Sequence, residues 1–578
     1  MVEDSINDIS IVLCGAAGQG IQTVESLLTK SLKRSGYNVF ASREYMSRVR
    51  GGVNSTSIRV SSNPVRAYLE RIDILIPLNE EAIPHVNERI SSQTLIIGEK
   101  KFLDSSLDTK GINIEVPFTE IAQEIGNKIL ANIISLGVIC GILKAEKSIL
   151  QEAIVKNFKK KGQTIIDDNI NAVNKGYEIA AELIDNRKLQ RSFNIEKNSE
   201  VKNQFIFDGR EAVALGAIAG GANFVTFYPM APSTGVGTFL AQHGLEFSII
   251  VDQSEDEISV INKAIGASYA GARAFVSTSG GGFSLMCEGI SCVGMMELPI
   301  VVLVGSRPGP ATGMPTRTAQ EDLELVLYAG AGYFPRIIFA PGTIEDAFKL
   351  TQNAFNLTQE YQLPVFILTD QYLIDSYYNT PTLNHENLEI KKFFVKTDKN
   401  YERYRFTENG ISPFGIPGYG DGLVDADSHT HTEGGDITED PEIRAKTVEK
   451  RYKKLELIKK IIIPPEFIGG EGYKTLIIAW GSNYYIIKEA IEILNQNDVA
   501  LLYFKQVYPI HSSVKNYIEK AEQTIIIENN PNAQLAKLIE LESHRAVDFK
   551  ILRYTGYAFS VEELLERIKN ILEGRYEK

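Results

Sequence analysis

A chain of 578 residues is far longer than one hydrophobic core normally grows, so three or four domains are expected. Hydrophobic residues make up 44% and charged residues 23%, an ordinary globular balance, and no window nears the roughly 18 unbroken apolar residues that a membrane helix needs. A formal charge of -13 argues against a sequence-independent nucleic-acid binder, which needs a net basic surface to displace counterions from phosphate. The opening MVEDSINDIS is acidic and polar instead of basic then apolar, so it does not read as a signal peptide, and a cytoplasmic location is expected. Cys14, Cys140, Cys287 and Cys292 are scattered without a CxxC pair, which suits a reducing compartment and provides no Fe–S binding motif.

In chain order, an apolar strand at Ile9 to Leu13 leads through the turn Cys14-Gly-Ala-Ala-Gly-Gln-Gly20 into a helical pattern ending near Arg34. Further apolar runs follow at Tyr37 to Ala41 and Ile72 to Leu78. Strands alternating with helices predict an open α/β sheet over residues 1–190, with the polar stretch 186–202 as linker. A second α/β region over residues 200–380 has strand-like runs at Phe224 to Phe227, Phe247 to Val251, Ala274 to Ser277, Ile300 to Val304 and Pro364 to Leu368. Residues 381–465 turn polar, then Gly/Pro-rich, then acidic, then basic and helical, and read as a long connector. Residues 466–578 alternate again, with TLIIAW, a helix to about Leu494, ALLYF, TIIIE and a helix from Gln534, a third α/β unit. The fold class is therefore α/β and multidomain.

Four of the strands in the second region run into small, Gly-rich or acidic residues, as expected where strand ends line a ligand crevice. Tyr228-Pro-Met-Ala-Pro-Ser-Thr234 is a loop made rigid by two prolines and ending in hydroxyls; it either meets a polar ligand or caps the next helix through Ser233. Asp252-Gln-Ser-Glu-Asp-Glu257 opens a helix bearing Ala264, Gly266, Ala267, Ala270 and Gly271. Helix capping explains some of this acidity. A carboxylate desolvated against such an Ala/Gly surface would carry a perturbed pKa and can hydrogen-bond a heterocyclic nitrogen. Ser277-Thr-Ser-Gly-Gly-Gly-Phe283 permits close backbone approach to a ligand. Arg307-Pro-Gly-Pro-Ala-Thr-Gly-Met-Pro-Thr-Arg317 is an ordered loop whose two arginines can each grip a carboxylate bidentately.

Taken together, YPMAPST, QSEDEI with AIGASYAGARA, STSGGGFSLM and GPATGMPTRTAQEDL resemble, in order, the pyrimidine-binding domain of thiamine-diphosphate-dependent 2-oxoacid:ferredoxin oxidoreductases. GAAGQGIQT, EYMSRVRGGVNSTSIRVS and Ile72-Asp-Ile-Leu75 resemble the γ-type pyruvate/ketoisovalerate oxidoreductase catalytic domain of the same enzymes, here fused ahead of the α-type region. IIAWGSN, YPI and IENNPNAQLAKLI resemble the transketolase C-terminal type domain.

This resemblance implies a cofactor-contacting glutamate at N1' of the aminopyrimidine, which favours the imino form and so the ylide. Glu257 takes that part, with Gly266 nine positions on, and Glu255 is the alternative. It also places Tyr228, Pro229, Met230 and Gly282 against thiamine diphosphate, and Ala231, Ser233, Thr234 and Arg317 against the 2-oxoacid. Ala231 stands where the family has a substrate-binding threonine, whereas Arg317 matches an arginine linked to the distal carboxylate of 2-oxoglutarate. Gly18, Gly20, Arg48 and Arg50 are the candidates for coenzyme A phosphates, with a scaffold role as the other reading; the glycine order G-x-x-G-x-G is not the dinucleotide fingerprint. The implied reaction is oxidative decarboxylation of a 2-oxoacid, with coenzyme A as acyl acceptor and ferredoxin as electron acceptor. The diphosphate, Mg2+ and a 4Fe-4S cluster then belong to a β-type partner subunit. No metal site is assigned to this chain, and no membrane or nucleic-acid partner. Gly420-Asp-Gly422 resembles a diphosphate motif but lacks the following Asn and reads as a decoy. His429 and His431, among Asp425, Asp427 and Asp436, offer metal-ligating types in what reads as solvated connector. Glu528-Asn-Asn530 is assigned a packing or interface role. A catalytically silent assembly subunit on the same fold is the competing reading.

Overall fold

The computed structural model describes residues 7–16, 20–47, 52–103, 110–384 and 388–575. The chain forms two compact units, the first comprising residues 1–207 with 376–382 and 560–563, and the second the remainder.

The first unit is built on an eight-stranded sheet ordered Ile112–Glu115, Leu95–Gly98, Ile74–Pro77, Asp8–Ala16, Val53–Ser61, Asn38–Glu44, Tyr377–Thr380 and Phe205–Asp208. The sheet is mixed. Asp8–Ala16 runs parallel to Ile74–Pro77 but antiparallel to Val53–Ser61, with Val12 opposite Ser57. Val53–Ser61, which is not among the strands expected from the sequence, carries Asn, Ser, Thr and Arg between its apolar residues. Those polar groups are used inside: Thr56 Oγ1 donates to Glu25 Oε2 at 2.9 Å, and Arg43 and the Tyr377 hydroxyl both reach Glu25 Oε1 at 2.6 Å. Tyr377–Thr380 belongs to this sheet although residues 209–376 separate it from Phe205–Asp208, and Asn379 Oδ1 accepts from Val39 N at 2.7 Å.

In the second unit, a seven-stranded sheet is ordered Gln506–Tyr508, Ile337–Phe339, Pro364–Asp370, Ile300–Ser306, Ala274–Ser279, Phe224–Phe227 and Ile250–Gln253. The last five are all parallel, with Val276 opposite Val302 and Thr226, so their C-terminal ends open on one edge. Apolar side chains such as Val276, Val302, Val304, Phe283 and Phe366 fill the core on its faces. The run expected as a strand from Phe247 is different: Phe247 ends the preceding helix, Ser248 takes a left-handed φ of 56°, and Ile249 N closes onto Gly244 O at 2.8 Å, so the strand starts at Ile250. A five-stranded sheet, Glu466–Ile468, Val499–Phe504, Thr475–Trp480, Gln523–Glu528 and Phe549–Leu552, completes this unit.

The stretch expected to be a solvated connector is packed into the second unit. Its helix Pro441–Lys459 turns Lys450 and Lys454, four residues apart and so on one face, onto the buried carboxylate of Glu297. Arg403 is also buried, donating to Gln362 Oε1 at 2.9 Å and Glu297 O at 2.8 Å. The basic residues that made this stretch look exposed are the ones that anchor it. Among the described residues, no helix is long and apolar enough to cross a membrane.

Candidate active site

Four loops leave adjacent parallel strands at one edge of the seven-stranded sheet and build the site. The first carries Tyr228, Pro229, Met230 and Ala231, all partly or well exposed, before the chain enters the helix Thr234–Phe247. Ser233 is buried and does not cap that helix. Its hydroxyl donates back to Met230 O at 3.0 Å, and its carbonyl accepts from Ser277 Oγ at 3.2 Å. Both contacts fix the loop. Thr234 remains partly exposed at the helix start.

The acidic run separates into four environments. Asp252 is neutralised by Lys263 at 2.9 Å and accepts from Ser254 Oγ at 2.6 Å. Glu255 points outward, its side chain 75% exposed. Asp256 caps the helix Glu257–Tyr269 by accepting from Ser259 N at 2.7 Å. Glu257 alone turns inward; it is 3% exposed, and its Oε1 is buried without a hydrogen-bond partner. Burial raises the proton affinity of its carboxyl, Asp256 adds to this, and Arg307 offsets part of it. An unsatisfied buried carboxylate oxygen costs folding free energy, so it points to a ligand donor.

The glycine run fits this arrangement residue by residue. A Cβ at Gly282 would lie 2.5 Å from Glu257 Oε1 and 2.4 Å from Thr278 Oγ1, one at Gly281 3.3 Å from Ala311 O, and one at Gly280 2.3 Å from Asp322 Oδ1. Glycine is required here so that two carboxylates can reach one helix start. The expected Ala/Gly face of the Glu257 helix packs only in part, through Ala264. Gly266 and Ala270 are exposed, and Val260, Ile261, Ala264 and Ile265 make the core contacts. Gly282→Ala is therefore expected to displace Glu257 and cut turnover at least tenfold, whereas Gly266→Ala, whose new methyl would meet nothing within 4 Å, leaves turnover unchanged; parallel steady-state assays and thermal melts check the pair.

Arg307 is buried at the start of the fourth loop. Its Nη1 donates to Ala231 O at 2.7 Å, and its Nε is buried with no acceptor. Ala231 thus acts through its carbonyl, which any residue at this position would supply. Arg317 is also buried, its guanidinium 4.6 Å over the ring of Tyr557, while Thr318 N binds Gly556 O at 3.0 Å. Sequence reasoning gave Asp322 and Ser306 no role, although both lie within or beside the motifs it quoted. Ser306 Oγ donates to Asp322 Oδ2 at 2.5 Å.

Other sequence candidates fall elsewhere. Gly18, Arg48 and Arg50 lie outside the described residues; Gly20, with φ of 77°, starts the helix Ile21–Arg34 of the first unit. His431 is buried, stacked 3.6 Å from the Tyr404 ring, and its proton affinity is pushed down to about 4 by burial, so it reads as a packing residue. Among the described residues, no group of three or more His, Cys, Asp or Glu could hold a metal ion. Gly420 and Gly422 press against Thr397 and Asp398, a turn built for close packing. Glu528 is buried, accepting from Leu535 N and Ala536 N at 3.1 Å and from Trp480 Nε1 at 3.2 Å, all within the C-terminal segment; Gln320, which accepts from Asn529 N and Asn483 Nδ2 through Oε1, ties that segment to the fourth loop.

Residues 215–450 match the family described as pyruvate flavodoxin/ferredoxin oxidoreductase, thiamine diphosphate-binding, and residues 10–179 match pyruvate ferredoxin/flavodoxin oxidoreductase. The chain is 31% identical, over 98% of its length and 97% of the relative's, to the 2-oxoacid:ferredoxin oxidoreductase subunit alpha of a Sulfolobus species. The chain belongs to the 2-oxoacid:ferredoxin oxidoreductase α-subunit family. The 2-oxoglutarate synthase subunit KorA of Archaeoglobus fulgidus is 31% identical over 64% of this chain and 98% of its own. A solved structure of the 2-oxoglutarate:ferredoxin oxidoreductase of Magnetococcus marinus, with 2-oxoglutarate, coenzyme A and succinyl-CoA bound, matches with a TM-score of 0.92 at 28% identity, covering 98% of this chain and 100% of that one. As an oxidoreductase subunit of this family, the chain carries a thiamine-diphosphate-binding domain, and the orphaned Oε1 of Glu257 lies within it and fits a heterocyclic N–H.

Proposed function

We propose that this α-type subunit supplies the pyrimidine half of an active site for CoA-dependent oxidative decarboxylation of a 2-oxoacid, with 2-oxoglutarate as preferred substrate and ferredoxin as electron acceptor. The observation that carries the reading is Glu257, a buried carboxylate with an unpartnered oxygen beside the glycine run. When bound, thiamine diphosphate supplies the carbon nucleophile that adds to the 2-oxo carbon and takes up the electron pair left as carbon dioxide departs. Glu257 holds or gives up a proton at the pyrimidine ring nitrogen, and its desolvation raises its affinity for that proton. Tyr228, Pro229, Met230 and Gly282 shape the pyrimidine pocket. Arg307, whose Nε lacks an acceptor, binds the carboxylate that will be lost, with Thr234 and the Ala231 main chain beside it. Ser233 sets the loop's shape from behind.

Arg317 is assigned to the distal carboxylate. Stacking on Tyr557 fixes the guanidinium plane, which suits bidentate recognition of a planar anion. The diphosphate, Mg2+ and a 4Fe-4S cluster are assigned to a β-type partner subunit in the cytoplasm, and coenzyme A to the γ-type unit near Gly18, Gly20, Arg48 and Arg50. The test is reduction of ferredoxin or a viologen by the αβ complex with coenzyme A and either 2-oxoglutarate, pyruvate or a branched-chain oxoacid. Arg317→Gln is expected to raise KM for 2-oxoglutarate about tenfold or more while pyruvate turnover changes little. A wild-type preference for pyruvate would overturn the assignment of Arg317.

A further inference from the structure

The carboxylate of Asp322 has no part in the reading above, yet it is built into the same corner as Glu257. The helix start at Gly280 leaves no room for a Cβ because both Asp322 oxygens would lie within 2.4 Å of it, just as Gly282 makes room for Glu257. Ser306, which donates to Asp322 Oδ2, is the residue immediately before Arg307. Arg307 is held by one main-chain bond, to Ala231 O, and its buried Nε has no acceptor. Its positive charge is felt by Glu257 on one side and Asp322 on the other, and both favour its charged form against the cost of burial. The charge of one buried cation therefore acts on two carboxylates, which stand against Gly280 and Gly282 of the same turn.

We propose that Asp322 is a positioning residue of this site, a second carboxylate whose charge balances that of Glu257 so that the Arg307 guanidinium is not drawn wholly onto Glu257. The proposal rests on Glu257 being the proton-holding group at the pyrimidine ring. If Arg307 moved fully onto Glu257, it would favour the carboxylate over the carboxylic acid and deprive the site of its exchangeable proton. It would also withdraw the cation from the substrate carboxylate. Asp322 counters both. Burial raises its own carboxyl to about 6, the Ser306 hydrogen bond and Arg307 pull it down, and the neighbouring Glu321, whose Oε2 accepts from Gly309 N at 2.9 Å, pushes it up. The pull of Asp322 on the Arg307 charge is thus stronger above that value, where Asp322 is charged. Among the described residues, the charged groups that act on it most are Glu321 and Arg307.

The experiment compares wild type, Asp322→Asn, Arg307→Gln and the double variant in the full αβ complex loaded with thiamine diphosphate. Near-ultraviolet circular dichroism, which reports the tautomer of the bound aminopyrimidine, is followed against pH without any 2-oxoacid. Asp322→Asn is expected to move the midpoint to lower pH and to lower kcat about tenfold, with KM changed less than threefold. In the Arg307→Gln background the same change should move neither, because the coupling runs through that guanidinium. A midpoint and kcat like wild type in Asp322→Asn, or equal shifts with and without Arg307, would overturn the proposal. Should Asp322→Asn fail to assemble, Ser306→Ala provides the second arm: losing the donor makes Asp322 easier to protonate, and a smaller shift of the same sign is expected. A wild-type complex whose dichroism titrates but which reduces ferredoxin with no 2-oxoacid would instead sink the functional reading, leaving the Asp322 arms to be judged on dichroism alone.

Discussion

Glu257→Gln is expected to reduce 2-oxoacid-dependent ferredoxin reduction at least a hundredfold while the protein folds and assembles normally. The amide keeps the shape of the carboxyl but cannot exchange a proton, and general acid–base contributions of this kind are worth about 100- to 10,000-fold. Unchanged turnover in the reconstituted complex would mean that the carboxylate is not catalytic and would favour a silent assembly subunit. Stability gives an independent sign. Desolvation raises the proton affinity of Glu257 in the folded state, so the native protein binds more protons than the unfolded chain between the two values, and stability from this group falls as pH rises through that window. Gln pays no such charge cost. Melting at pH 8 should therefore be no lower in Glu257→Gln than in wild type, and any advantage should shrink towards pH 4, where the wild-type carboxyl is protonated. Sites that do chemistry are often destabilised in this way.

The largest stability effect is expected at Glu297. Burial alone would raise its carboxyl, but Lys450, Lys454 and Arg403 outweigh that and hold it well below the usual carboxylate range. Glu297→Ala leaves two lysine ammonium groups buried without their anion, a change that costs about 3–5 kcal/mol in comparable buried pairs. The loss should be greatest near neutral pH. Burial already lowers Lys454 to about 8 against the pull of Glu297, so removing the carboxylate lowers it further, and raising the pH lets the stranded lysines shed their protons. Thermal melts of wild type and variant from pH 7 to pH 10 should converge. A constant gap across that range would show that the variant fails through packing instead of charge. Because this cluster anchors residues 403–454 to the helix end at Glu297, local proteolysis in that stretch should rise with the loss of stability.

The sequence was sufficient for the parallel strands and for the loops at their C-terminal ends. Phe224 to Phe227 was bounded correctly, and the loops after it and after the strands ending at Gln253, Ser279 and Ser306 were identified by composition alone. That succeeded because strand runs and Pro/Gly-rich turns are local patterns, set by backbone sterics and by side-chain alternation. The same locality limited the rest. Spacing could rank Glu257 above Glu255, but only the folded chain separates a carboxylate 3% exposed from one that reaches into solvent. Polar composition marked residues 381–465 as a tether, yet Lys450 is buried against Glu297, 153 residues earlier in the chain. Nothing within either segment announces the other. Asp322 likewise is one acid in a motif, and only the fold sets it against Gly280 and the Ser306 hydroxyl, where its charge acts on Arg307. Periodicity and turn chemistry, being properties of neighbours in sequence, determined the strands, the loops and the family resemblance. Desolvation and through-space charge depend on neighbours in space, and those alone decided which acid is buried, which arginine keeps an unpartnered Nε and which lysines hold the connector down.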